Sequence, residues 1–211
     1  RTCHLWFFSI SSDFVDLLRR DISRLKSMIN SMTRGRKHVI IKLLKNGYWG
    51  EWQMKRVLVK SLNEAFDFVL DHYYPAGCEE DAKRKDTYAV ISIQDTHTGG
   101  FGVTFSENKF CKGVLTLYFD DVVKETKGAV LFDEKMADSV ITFIRNHMDV
   151  DILLIHCYAG QSRSRAVGAF AEKMLGRNNK KYFSQKELWA GTPNEHVYHM
   201  LEDVWFRDML G

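Results

Sequence analysis

The stretch His156-Cys157-Tyr158-Ala159-Gly160-Gln161-Ser162-Arg163-Ser164 decides how this chain is read. It follows the short apolar run Ile152-Leu153-Leu154-Ile155 and precedes a segment, about 164–175, whose apolar residues recur at helical spacing. A continuous apolar run of that length reads as a strand buried on both faces, and the periodic segment as an amphipathic helix. The nine residues therefore form a strand-to-helix loop that carries a thiol and a guanidinium six positions apart.

Working outward, Asp133 can cap a helix whose inner face is Met136, Val140, Ile141, Ile144 and Met148, so residues 114–155 read as a β-α-β crossover. Residues 56–60, 88–93 and 114–119 read as further strands, and residues 62–72 as a helix with Leu62, Ala65, Phe66, Val69 and Leu70 on one face. The expected fold class is α/β: a central, mainly parallel sheet of four to five strands flanked by helices. Residues 75–86 are charged and read as a solvent loop. Residues 94–112, with Gly99, Gly100 and Gly102, form a long connection of the kind that is often a functional flap. After a polar break at 176–181, residues 185–189 and 195–210 read as helices. The nine-residue loop then lies at the C-terminal edge of the sheet, where open α/β sheets bind ligands.

The residue types point to a phosphate. A phosphate monoester is a dianion, so its site must offer many donors without bulky side chains in the way. A loop leading into a helix N-terminus turns the successive amides of Tyr158, Ala159, Gly160, Gln161 and Ser162 inward, and the helix dipole adds positive potential. Gly160 allows close backbone approach, and Arg163 supplies a planar, permanently charged fork for two phosphate oxygens. The same amides and guanidinium favour the thiolate of Cys157, which readies it to attack phosphorus and form a phosphocysteine. Departure of the leaving group needs a proton. Asp120 and Asp121, at the end of strand 114–119, are the candidate acids, 37 and 36 residues before Cys157. Ser164 is either a hydrogen-bond partner of the sulfur or simply a helix cap, and His156 is expected to orient the loop through hydrogen bonds. Arg165 is expected to face solvent or a carboxylate.

The rest of the chain sets limits. A length of 211 residues with 45% hydrophobic content fits one domain with an extension. No apolar stretch is long enough to cross a bilayer and none precedes a small-residue cleavage site, so membrane insertion is not expected and the expected location is cytoplasmic. Four scattered cysteines give neither a disulfide framework nor a Cys-x-x-Cys metal pattern. Residues 1–60 hold 13 Lys and Arg against 4 Asp and Glu, whereas residues 61–211 hold 17 against 23. Residues 1–53 thus read as a basic N-terminal extension, with an amphipathic helix over 13–32 (Phe14, Leu18, Ile22, Leu25, Ile29, Met32), a strand at 39–44 and a turn at 46–52. It could be an appendage, or translated sequence upstream of the true start at Met54. Basic residues unaccompanied by interleaved aromatics read as a solvated face, so nucleic acid is not an expected partner.

HCYAGQSRS resembles, at each fixed position, the His-Cys-x-x-Gly-x-Ser-Arg-Ser signature of dual-specificity, cysteine-dependent protein phosphatases, in a texture closest to small bacterial or phage members. The likeness covers about residues 54–211 and includes LYFDDV, similar to the strand end that carries the general acid, and TPNEHVYHMLEDV, similar to the Pro-Asn opening of the last helix. By that alignment Asp121 fits the acid better than Asp120. The resemblance implies a phosphatase domain over 54–211 that needs no metal or other cofactor and acts on a phosphorylated protein or small phosphomonoester. Phosphotyrosine leads, with phosphoserine and phosphothreonine possible. Hydrolysis of nucleotides or sugar phosphates and a catalytically slow phosphate-binding module are the alternatives. Low-molecular-weight tyrosine phosphatases order loop and acid the other way. Phosphoinositide phosphatases often carry loop lysines, absent here, and RNA triphosphatases usually end the loop Asn-Arg-Thr.

Overall fold

The computed structural model describes residues 54–97, 99–102, 104–184 and 191–210. The expected helix at 13–32, strand at 39–44, turn at 46–52 and helix at 185–189 lie outside the described residues.

In chain order the elements are β1 (Arg56–Lys60), α1 (Leu62–Tyr73), β2 (Tyr88–Gln94), β3 (Cys111–Tyr118), α2 (Glu134–Asn146), β4 (Ile152–His156), α3 (Arg163–Met174), a 3-10 turn (Lys180–Tyr182) and α4 (Glu195–Leu210). The strands form one parallel sheet in the order β1-β4-β2-β3. This is the expected α/β architecture, with four strands.

Strand β4 is buried from end to end, because it lies inside the sheet and both faces are covered. Its side chains divide by the two-residue strand period. Leu153 and Ile155 join the larger core with Ile91 and Ile93 of β2, Val140, Ile141 and Ile144 of α2, Val167 and Phe170 of α3, and Val197 and Leu201 of α4. Ile152 and Leu154 point the other way and pack with Val90, Ala65, Val69 and Tyr73 in a smaller core under α1. A helix-covered parallel sheet needs this division, and the unbroken apolar run in the sequence follows from it.

Local chemistry sets the helix starts. Ser61 and Glu64 form a capping box around the first turn of α1, and Asp133 accepts from the Met136 amide at 2.8 Å to cap α2 as expected. Several boundaries differ from expectation by one to three residues, three of them with a visible consequence. Strand β3 begins at Cys111 rather than 114, because Cys111 pairs with Tyr88 through a local register shift that absorbs Lys112 and Gly113. At Gly113 the His147 ring takes the space where a side chain would stand. Helix α2 stops at Asn146, so Met148 follows the helix, and its carbonyl accepts from the Met54 amide at the foot of β1. Helix α3 begins one residue earlier than expected, at Arg163.

Helix α3 crosses β1 where Gly168 meets Val59. A Cβ on Gly168 would lie 2.3 Å from Val59 Cγ2 and 3.2 Å from the Tyr182 ring. Gly168→Ala therefore overpacks the helix–sheet contact, and we expect it to lower unfolding free energy by about 1–3 kcal/mol. An unchanged urea midpoint in that variant would show that the contact has slack.

Candidate active site

The loop from His156 to Ser164 leaves β4 between β1 and β2 and turns back at once into α3. Two contacts press it onto the β1–α1 junction: Tyr158 O accepts from the Leu62 amide at 3.1 Å, and Gly160 lies against Lys60 and Ser61. A Cβ on Gly160 would stand 2.5 Å from the Ser61 nitrogen, and its φ of +72° is in the left-handed region. Both conditions call for glycine.

This path gathers the expected residues. Cys157 Sγ accepts from the Gly160 amide at 3.3 Å and lies 3.1 Å from Ser164 Oγ. Cys157 is buried, while Tyr158, Ala159 and Gln161 are exposed around it. Of the two readings of Ser164, the contact to sulfur is the one observed; the N-cap of α3 is Ser162, which makes no side-chain cap bond. The Ser162 hydroxyl donates instead to Asp121 Oδ1 at 2.8 Å. The three free cysteines among the described residues differ in surroundings: burial pushes the Cys111 thiol up to about 11.

Arg163 is 5% exposed. Its Nη1 donates to Phe119 O at 2.8 Å and pairs with Asp95 Oδ1 at 2.6 Å, and its buried Nε has no partner among the described residues. Arg165, expected to meet solvent or a carboxylate, instead donates to the carbonyls of Tyr182 and Lys181.

The two adjacent aspartates separate sharply. Asp121 is exposed, and its Oδ1 accepts from Ser162 and from Asn194 Nδ2, each at 2.8 Å. Asp120 turns inward, 8% exposed, and accepts from the Thr96 amide and hydroxyl and the Val130 amide, with His97 at 3.3 Å. Burial alone raises the Asp120 carboxyl, but the bonds from Thr96 and Val130 outweigh it and hold the group below the usual carboxylate range. An ionised, saturated carboxylate has no proton to give. Asp120 thus ties the β2–β3 connection to the segment after β3, and Asp121 alone of the pair reaches the loop.

His156 also differs from expectation. Neither ring nitrogen has a hydrogen-bond partner of ordinary geometry, and only the backbone of Cys157 offers a polar contact. The ring is fully buried and packs 5.3 Å from Phe105 and 6.4 Å from Phe66. It supports the loop by packing rather than by hydrogen bonds.

Three contributors escaped the sequence reading. Asn194 lies in a Pro-Asn pair that sequence associates with a helix opening; its Oδ1 caps α4 through the Val197 amide while its Nδ2 holds Asp121. Asp95 follows β2 directly and so sits at the same sheet edge as Cys157, which is the one signal that could have flagged it. Gln94, also buried, accepts from the Phe101 amide at 2.8 Å, and Phe101 in turn meets Tyr158 with 5.5 Å between ring centroids. Among the described residues, no helix is long and apolar enough to cross a membrane, and no three His, Cys, Asp or Glu residues gather as a metal site.

No protein-family model and no curated protein matches the chain. Among solved structures, it is similar to the human tyrosine phosphatase-like serine/threonine/tyrosine-interacting protein (18% identity, TM-score 0.40, covering 60% of this chain and 80% of that one). It is similar also to Tk-PTP in the active form (13%, 0.42, 75% and 99%) and to PTPMT1 in complex with PI(5)P (15%, 0.41, 74% and 95%). At such distances the case for any activity rests on this chain's own residues.

Burial holds His156 neutral down to about pH 4, against an ordinary value near 6.5. The unfolded chain takes up this proton as pH falls through about 6.5 and the folded chain only near 4, so His156 costs stability progressively across that window and nothing above it. The full effect is about 3 kcal/mol. We expect wild type to lose about 2 kcal/mol more than His156→Gln between pH 7.5 and 4.5 in urea unfolding; parallel losses would contradict the neutral buried ring.

Proposed function

We propose that the chain is a cysteine-dependent phosphomonoester hydrolase, acting on phosphorylated protein, with phosphotyrosine as the leading substrate and phosphoserine or phosphothreonine as further ones. The observation that carries this reading is the sulfur of Cys157 held between the Gly160 amide and the Ser164 hydroxyl, at the start of α3 and on the loop that ends in the buried guanidinium of Arg163. A buried small hydrophobe would have no use for such polar company.

The steps follow from the residues. The phosphate enters the ring of amides of Tyr158 to Ser162, with its charge met by those donors, by the helix N-terminus and by Arg163. The Cys157 thiolate attacks phosphorus; the P–S bond forms as the P–O bond to the leaving group breaks, giving a phosphocysteine. Asp121 gives its proton to the departing oxygen. Its Oδ1 already accepts from Ser162 and Asn194, which leaves Oδ2 to carry that proton. Water then attacks phosphorus, Asp121 takes a proton from it, and sulfur leaves as the thiolate, eased by the hydrogen bond from Ser164. No metal or other cofactor takes part in these steps.

Cys157→Ser should abolish turnover of a chromogenic aryl phosphate while binding of a phosphate analogue survives; activity comparable to wild type would end the covalent mechanism. Asp121→Ala should slow hydrolysis by about 10²- to 10⁴-fold for poor leaving groups and less for good ones. Asp120→Ala should instead lower stability, and a leaving-group dependence in that variant would move the acid role one residue back. A panel of phosphopeptides, nucleotides and sugar phosphates on the purified protein decides the substrate class: nucleotide or sugar phosphates turned over faster than phosphopeptides would replace the protein substrate.

A further inference from the structure

We infer that Asp95 is the positioning residue that aims Arg163, a role that rests on the phosphate-site reading above and extends it to a residue outside the loop. Asp95 and Arg163 are 68 positions apart in the chain yet meet at 2.6 Å.

The guanidinium has two edges. Nη1 is taken on both sides, by Asp95 Oδ1 and by Phe119 O, while the Nε hydrogen is buried without an acceptor. Two acceptors from different strand ends fix the plane of the group as well as its position, since the five guanidinium donors have a rigid fork geometry. The Phe119 ring, 5.9 Å from the guanidinium carbon, bounds it on one face. With Nη1 fixed, the Nε–Nη2 edge remains as the donor fork for an oxyanion. A buried N–H without a partner is costly, and a bound phosphate oxygen supplies what it lacks.

Asp95 is itself held in place. The next residue, Thr96, is gripped through its amide and hydroxyl by Asp120, whose Oδ2 also accepts from Val130, and the Phe119 amide donates to Gln94 O. The buried Asp120 thereby acts at second hand. It sets the turn after β2, the turn sets Asp95, and Asp95 sets the guanidinium. Asp95 keeps a 30% exposed side chain, so the pair sits at the edge of the site rather than sealed in the core.

The test compares Asp95→Ala with Asp95→Asn, which loses the charge but keeps an oxygen acceptor for Nη1. Misplacing a phosphate-gripping group by about 1 Å can cost 10²-fold. Asp95→Ala should therefore lower kcat/KM for an aryl phosphate by about that factor and weaken tungstate binding, measured by calorimetry, by about tenfold. Asp95→Asn should recover to within about fivefold of wild type in both. If Asp95→Ala does not fold, Asp95→Glu, which keeps the countercharge but moves the carboxylate by one methylene, takes its place and should lower both readings in the same direction. In an Arg163→Lys background the same substitution should add less than about threefold, because a residue acting through Arg163 has nothing left to aim. A general structural role would not give that non-additivity. Equal losses in both backgrounds, or an Asn variant as impaired as Ala, would overturn the assignment. Tungstate binding that depends on Asp95 in a protein with no phosphatase turnover would instead sink the hydrolase reading and leave Asp95 in its role; absent binding and absent turnover would sink both.

Discussion

A guanidinium that is only 5% exposed must find acceptors inside the protein, because an unpaired cation in such surroundings costs several kcal/mol. Arg163 stands at the first turn of α3, where the helix itself supplies no carbonyl to its side chain. The acceptors come from the ends of the two neighbouring parallel strands, Asp95 after β2 and Phe119 after β3. A parallel sheet makes this economical: all its strands finish at one edge, so carboxylates and carbonyls that follow them converge without long loops. The ion pair, the sulfur contacts and the Asp121 bridge are three uses of that shared edge.

Asp120 and Asp121 illustrate how neighbours take opposite tasks there. Past the last paired residue of β3, one carboxylate turns into the protein and ties backbone amides, and the other turns out toward Ser162 and Asn194. The chain turns there, with the Val122 amide donating to Asp120 O, and this turn at Asp121 sends the two side chains apart. If one of the two can lend a proton, the other is turned away from the same task.

The architecture was legible in the sequence because burial on two faces writes unbroken apolar runs and helices write a three-and-four spacing; β4 and α2 are examples. The centre of the site was legible because its residues are contiguous, from His156 to Ser164. Other features were not. Choosing between Asp120 and Asp121 required knowing which way each side chain turns. His156 reads as a hydrogen-bonding residue by its chemistry, and only the rings of Phe66 and Phe105, 90 and 51 positions away in the chain, reveal a packing role. Asp95 was hidden for the same reason: its partner is remote, and an aspartate after a strand looks like any turn residue.

The pairing of β1 with β4 joins Arg56 to Ile152, and Gly160 rests on the Lys60–Ser61 step that ends β1. One wall of the proposed anion cradle is therefore made about a hundred residues before the loop that leans on it emerges from a ribosome. Contacts of that sequence separation form late and slowly, since loop closure must come first. A chain that stops short of α3 contains the sequences of all four strands but lacks Arg163 and Ser164. If the loop holds an anion as proposed, that capacity should arrive in a single step, at the end of folding, and a ligand that fits there would report completion of the whole domain rather than of any part.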